Sequence, residues 1–282
     1  METILTYGEK KVVIGPEHPF VIIGERINPT RRKKLAESMQ MGDFSIIQMD
    51  AKQQVDAGAQ VLDVNAGIPG ADEPALLKEA VQAVMDVVDV PLCLDTANPD
   101  ALAAALEAYP GKALINSTTA EESMMERVFP LASKFGAAVI GVITDEDGIP
   151  ATSEARLEVA RKLVTRAKDF GVPAEDIIID PLALTVGADH NAGRVTLDAL
   201  NLIQRDLGVN QSLGASNVSF GLPDRKSINM AYLALAIGQG LTAAISDPTV
   251  PEIYTMILAC DLLMGRDEYT MRWIEAYRAR AQ

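Results

Sequence analysis

The sequence predicts an α/β fold: a closed (β/α)8 TIM barrel with a short N-terminal hairpin extension. Three observations predict it. Short apolar runs alternate with longer helical stretches through eight repeats. The apolar runs are continuous rather than alternating, as strands buried on both faces require. The chain has 282 residues, 48% hydrophobic and 23% charged, which suits one α/β barrel with a large packed core. A doubly wound open sheet ranks second, because eight regular units close naturally and no Gly-rich fingerprint follows the first strand.

The elements follow in order. Residues 1–20 form an extension, in which VVIG after YGEKK suggests a hairpin plugging the bottom of the barrel. The barrel takes residues 21–282. Its first strand is 21–24, with a helix over 45–57 that ends at Gly58. The second strand is 61–65, with a helix near 73–88, and the third is 91–95, with a helix near 99–108. The fourth strand, 113–116, precedes a helix near 121–135, and the fifth, 137–142, a helix near 153–170. The sixth strand is 176–180, with a helix near 195–206. The seventh is placed at LGAS, 213–216, with a helix near 227–239. The eighth is 242–246, with a helix from 251 and a last helix in 266–282.

Composition excludes several classes. A net charge of −14 argues against nucleic acid, which needs a basic face. The basic cluster Arg31, Arg32, Lys33 and Lys34 reads as a solvated helix start; the sharper reading is a landing site for an acidic substrate tail. No apolar run reaches the length of a membrane span, and no signal peptide is evident. Cys93 and Cys260 form neither a disulfide framework nor a metal-ligand spacing, which fits a reducing cytoplasm.

Chemistry in such barrels sits at the C-terminal ends of the strands. Those ends carry Glu25, Arg26 and Asn28; Asp63 and Asn65; Asp95 and Asn98; Asn116 and Ser117; Asp180; Ser216 and Asn217; Ser246 and Asp247. Any one of these is an ordinary cap or turn residue. Asp63, Asp95, Asn116 and Asp180, however, follow directly on apolar strand residues, where a cap does not belong. Asp63 can equally serve to hold Arg26 or a loop amide. His18 and His190 end no strand, which argues against a zinc site, and no strand ends in Lys, which argues against a Schiff base. There is no Walker loop and no nucleophile elbow, and no tightly bound metal is expected. A mouth of carboxylates and amides suits a neutral ligand rich in N–H donors, such as the aminopyrimidinone of a pterin, whose ring N–H and amino group one carboxylate accepts side by side.

At these positions GERINPT (24–30), LDVNAG (62–67), CLDTAN (93–98), LINST (114–118), IIDPLAL (178–184) and GASNVS (214–219) resemble the pterin-binding methyltransferases. That family includes the methyltetrahydrofolate:corrinoid/iron–sulfur protein methyltransferases and the folate domain of cobalamin-dependent methionine synthase; the corrinoid-protein type is the more similar. The resemblance implies a TIM barrel, a homodimer, and a place in one-carbon metabolism. It implies methyl transfer, in either direction, between N5 of methyltetrahydrofolate and the cobalt of a corrinoid on a partner protein. It implies that Asp95, Asn116 and Asp180 hold the pterin edge. Asn217 would act near N5, with Ser219 and Arg225 beside it, and Glu25, Asp63, Asn65 and Asp247 in support. The Asp residues are expected to be ionised, so activation would come from Asn217 with solvent supplying the proton. The family carries an amide three positions after that asparagine, where this chain has Phe220.

Three rival readings remain. Dihydropteroate synthase shares the Asp95, Asn116 and Asp180 pattern, but its lysine position holds Val218 and its Arg-x-His reads Ala244, Ile245, Ser246. Two missing basic groups disfavour pyrophosphate chemistry. A non-catalytic folate-binding subunit is the second rival. A metal-assisted barrel using Asp63, Asp95 and Asp180 is the third.

Overall fold

The computed structural model describes residues 1–280. An antiparallel hairpin, β1 (Thr3–Tyr7) and β2 (Lys10–Ile14), comes first. The barrel elements are β3 (Val21–Ile27), α1 (Lys33–Gln40), α2 (Ser45–Asp56), β4 (Val61–Asn65), α3 (Glu73–Met85), β5 (Leu92–Asp95) and α4 (Pro99–Ala108). There follow β6 (Leu114–Thr119), α5 (Glu122–Phe135), β7 (Ala138–Val142), α6 (Ser153–Asp169), β8 (Ile177–Asp180), α7 (Ala192–Asp206), β9 (Asn210–Gln211), α8 (Arg225–Gly238), β10 (Ala243–Ser246), α9 (Pro251–Leu263) and α10 (Met271–Arg280). The eight strands β3 to β10 are parallel and lie side by side in one sheet. Among the described residues no helix is long and apolar enough to cross a membrane.

The continuous apolar runs do what parallel strands require. Val21, Ile23, Val61, Cys93, Leu114, Ala138, Ile140, Ile178 and Ala243 fill the interior of the barrel. A second layer, from Leu62, Leu92, Ile115, Val139 and Ile179, meets the helices outside. Helix starts are fixed by side-chain caps: Asp72 on α3, Asn98 on α4 and Thr152 on α6 each accept from a backbone N–H of the first turn. Asn98, read from sequence as one of the strand-end residues, is thus a cap.

The hairpin covers the bottom of the barrel. Leu5 and Ile14 are fully buried against the interior residues. The Thr6 N–H donates to the Lys112 carbonyl at 3.1 Å, and Lys112 returns a backbone N–H to Thr6 Oγ1 at 2.9 Å.

Two local expectations are corrected. The seventh strand is Asn210–Gln211, not 213–216, and Ala215–Ser219 is a 3-10 turn. The amide donors of this strand are buried and paired: Asn210 Nδ2 donates to the Ile14 carbonyl (2.8 Å) and to Thr3 Oγ1 (2.9 Å), and Gln211 Nε2 donates to the Leu200 carbonyl (3.0 Å), while the two amide oxygens are buried without a partner among the described residues. The first strand runs on past 24 to Ile27, with its register against β4 shifting between Gly24 and Ile27. Such an irregularity re-aims the side chains around it, here Glu25 and Arg26.

Gly24 makes this possible. A Cβ there would stand 2.6 Å from Gln54 Oε1, the atom that accepts the Arg26 N–H at 2.9 Å. Gly24→Ala should therefore overpack the strand and cost about 1–3 kcal/mol. A thermal midpoint equal to that of the wild-type chain would show that the contact yields freely.

Candidate active site at the carboxyl ends of the strands

The mouth of the barrel holds a cavity of about 420 Å³ lined by Glu25, Arg26, Asn28, Thr30, Arg32, Asp63, Asp95, Asn116, Ile245 and Asp247. A cavity of about 530 Å³ lies outside the barrel, between the end of α2, the start of α9, and α10. The strand-end cavity has the convergent polar groups, and the barrel rule places chemistry there.

Register builds its floor. Asn65 pairs with Asp95, and Asp95 with Asn116, so the three lie in one row across β4, β5 and β6. Asp63 lies two residues below Asn65 on the same strand face. Asn65 Nδ2 donates to Asp95 Oδ2 at 2.9 Å, and Asn116 Nδ2 donates to Asp63 Oδ1 at 3.0 Å. The Asn116 amide is thereby oriented, leaving its carbonyl oxygen to accept from a ligand. Asp63 holds this amide rather than Arg26, whose Nη1 goes instead to Asp247 Oδ2 at 3.1 Å and whose Nη2 lies 3.5 Å from Asp50.

Burial changes the expected charge states. It pushes the Asp63 carboxyl well above the ordinary range, and the neighbouring Asp95 charge adds to the effect. Asp95 is raised too, by burial, against the Asn65 hydrogen bond. Two adjacent buried carboxyls share one proton more readily than none, and Asp63 is the holder. Burial raises Asp180 to about 6, opposed by the Leu182 and Gly214 backbone N–H groups and by Arg156. Glu25 rises to about 7, first through burial, then through the Asp247 charge, with Arg225 pulling down. The acids at the mouth are therefore not uniformly ionised, and Glu25 holds a proton near neutrality. The Cys93 thiol is raised by burial and belongs to the core.

Asp180, Asn217, Ser219 and Arg225 do not line that cavity, although their strand ends belong to the same mouth. Asp180 Oδ1 accepts the Leu182 N–H at 2.8 Å, in a turn where Leu182 has φ +60°. Behind that turn Arg156 is buried and donates to the carbonyls of Pro181 (2.9 Å) and Leu182 (3.0 Å) and to Thr196 Oγ1 (2.9 Å). Nothing in the sequence marks Arg156, which sits within a helix rich in charge. Asn217 is exposed, and its side-chain amide makes no hydrogen bond among the described residues. Ser219 is fully buried: its hydroxyl donates to Asn229 Oδ1 (2.6 Å) and accepts from Arg225 Nε (3.0 Å). Arg225 Nη2 also donates to the Ser216 carbonyl at 2.7 Å. Asp247 accepts from the Thr249 N–H and hydroxyl as well as from Arg26. Among the described residues no group of three or more His, Cys, Asp or Glu is placed to hold a metal ion.

The fold is a TIM barrel whose mouth gathers hydrogen-bonding side chains. The chain belongs to the pterin-binding enzyme family, whose model matches residues 24–247. It is 30% identical to the methylcorrinoid:tetrahydrofolate methyltransferase of Eubacterium limosum, over 92% of this chain and 96% of that protein. It is 32% identical to the methionine synthase of Mycobacterium leprae (strain TN), over 80% of this chain but only 20% of that much longer protein. Among solved structures, Yersinia pestis DHPS with a pterine–sulfa conjugate superposes with a TM-score of 0.71 at 16% identity, covering 93% of this chain and 99% of that one. That likeness is one of fold.

A carboxyl raised on folding binds its proton more tightly in the folded chain. Its contribution to stability is complete below the unfolded value and is lost as pH rises through the folded value. For Glu25 and Asp180 the windows run from 4.5 to about 7 and from 3.8 to about 6. Across these windows the thermal midpoint of the wild-type chain should fall relative to Glu25→Gln and Asp180→Asn. A gap between wild type and variants that stays constant with pH would contradict the raised values.

Proposed function

We propose that this chain transfers a methyl group between N5 of methyltetrahydrofolate and the cobalt of a corrinoid carried by a partner protein, in either direction. The similarity to the Eubacterium limosum enzyme along nearly the whole of both chains carries this reading. The same reading takes residues 21–282 as the pterin-binding unit and 1–20 as its extension. It has the chain work as a homodimer in the cytoplasm, within one-carbon metabolism. The corrinoid supplies the metal that accepts or returns the methyl group.

The residues then divide by role. Asp95 accepts from the amino group and ring N–H of the pterin, because its remaining lone pairs face the cavity. Asn116, held by protonated Asp63, offers its carbonyl oxygen to the same edge. Asp180 accepts from the far part of the ring. Asn217 hydrogen-bonds at N5, with its turn fastened by Ser219 and Arg225. When the N5–CH3 bond breaks, its electron pair stays on nitrogen and must receive a proton. Glu25, neutral near pH 7, stands on β3, which is separated only by β10 from the turn that carries Asn217. It therefore donates that proton, and takes it back when the methyl group returns to folate. Exposed Asn217, Phe220 and Arg225 leave this side open to a second protein.

Asp95→Asn should weaken methyltetrahydrofolate binding roughly 10- to 100-fold, the loss expected for a charge-assisted hydrogen-bond acceptor. Asn217→Ala should keep binding and lower the transfer rate on the order of 100-fold. Demethylation of folate by the wild type should slow as pH rises through about 7, and Glu25→Gln should be slow throughout, without that step. The measurement is formation of the methyl–cobalt absorption band in single turnover with a reduced corrinoid protein. Tight folate binding with no such band in the wild type would sink the enzyme reading.

A further inference from the structure

We propose that Phe220 and Arg31 form a subsite for the aryl-glutamate end of a folate, making this rim of the barrel selective for tailed folates over bare pterins. The inference rests on the function proposed above.

Phe220 is 51% exposed, an unusual place for a phenyl ring. The Arg31 guanidinium lies 5.4 Å from its ring centroid and that of Arg225 5.9 Å. Arg31 comes from the loop after β3 and Phe220 from the segment after the 3-10 turn of Ala215–Ser219. These loops rise from strand ends on the two sides of β10, and the cation–ring contact joins them over it.

Both partners are held in place. Arg31 adopts φ +61°, and the next N–H, of Arg32, donates to the Pro29 carbonyl at 3.0 Å. The Arg32 side chain is tied to buried Asp50 at 2.7 Å. Phe220 donates its N–H to the Asn217 carbonyl at 3.1 Å and accepts from the Thr185 hydroxyl at 2.7 Å. The ring is thus presented rather than left loose.

The charge is available. Among the described residues Arg31 and Lys34 are in no ion pair, and the hydrogen bonds of Arg225 go to the neutral acceptors Ser219 Oγ and Ser216 O. In a chain of net charge −14, uncompensated cations grouped at the mouth are a specific feature.

The chemistry of folate points to the ligand. The tail leaves the reduced pterin at C6, one bond from N5. If Asn217 acts at N5, the tail departs beside Asn217 and meets Phe220, three residues further on. Its aminobenzoyl ring is a flat partner for a phenyl face, and its glutamate carboxylates are anions for Arg31. The basic cluster that the sequence offers as a landing site for an acidic tail here acquires a geometry.

The test titrates wild type, Phe220→Leu and Arg31→Ala with 5-methyltetrahydrofolate, its γ-triglutamate form, and tail-less 5,6-dimethyltetrahydropterin. Each variant should bind the tailed folate roughly tenfold more weakly, a loss matching an aromatic or cation–π contact, and the tail-less pterin as well as wild type does. The triglutamate should gain affinity over the monoglutamate in wild type and lose that gain in Arg31→Ala. Equal weakening of tailed and tail-less ligands, or of neither, overturns the inference. So does a rise only in the KM for the corrinoid protein, which would make the rim a protein-docking surface. Tail-dependent binding without methyl transfer would leave the subsite standing and remove the enzyme reading instead.

Discussion

The structure depends on how its last seam is closed. Seven of the strand pairs run through registers of two residues or more, but β9 and β10 meet only through scattered bonds. The Gln211 carbonyl accepts from the Thr242 N–H (3.2 Å) and hydroxyl (3.1 Å), and the Leu213 carbonyl accepts from the Ile245 N–H (2.9 Å). A single bridge joins Gly214 to Ile245. Because β9 stops after two residues, the chain beyond it is free to coil into the 3-10 turn that lifts Asn217 to the rim. A full-length strand would have sent that segment onward into the ladder.

The opposite side of the mouth is governed by the reverse condition. There β4, β5 and β6 are in strict register, and the row of Asn65, Asp95 and Asn116 follows from it. Amides alternate with carboxyls, so each donor finds an acceptor inside the wall; Asp95 and Asn116 line the cavity, while Asn65 uses both its amide atoms on Asp95 and the Gly67 N–H. Burial of the lower member, Asp63, keeps a proton in the wall and spares the site a pair of facing negative charges. A rigid edge-reading wall and a looser rim thus share one cavity. Both halves rest on buried polar braces, Arg156 behind Asp180 and Asp50 behind Arg26 and Arg32.

Much of this was legible in the sequence, for identifiable reasons. Parallel strands buried on both faces leave unbroken apolar runs, so VLDVN and IIID declared themselves, and a polar residue ending such a run has nowhere to point but the mouth. What stayed hidden depends on distant partners. Asn210 and Gln211 read as loop because their burial is made possible by the hairpin at the start of the chain and by Leu200 on α7. The pairing of Asp63 with Asn116 depends on cross-strand register, and the neutral state of Glu25 on a cavity that no local pattern describes. Ser219 lies in a matching motif, yet its hydroxyl is turned inward to Asn229 and Arg225. The site was thus readable as a set of positions, while the division of labour within it was not.

The packed interior of the barrel has a kinetic corollary. Strand side chains fill it and Leu5 and Ile14 of the hairpin pack beneath them, so the strand-end cavity is reached from the mouth. Under the proposed reaction, folate and the corrinoid protein must both use it, and the bulkier visitor covers the smaller one. Under that reading folate would enter first and leave last, with the protein partner coming and going between.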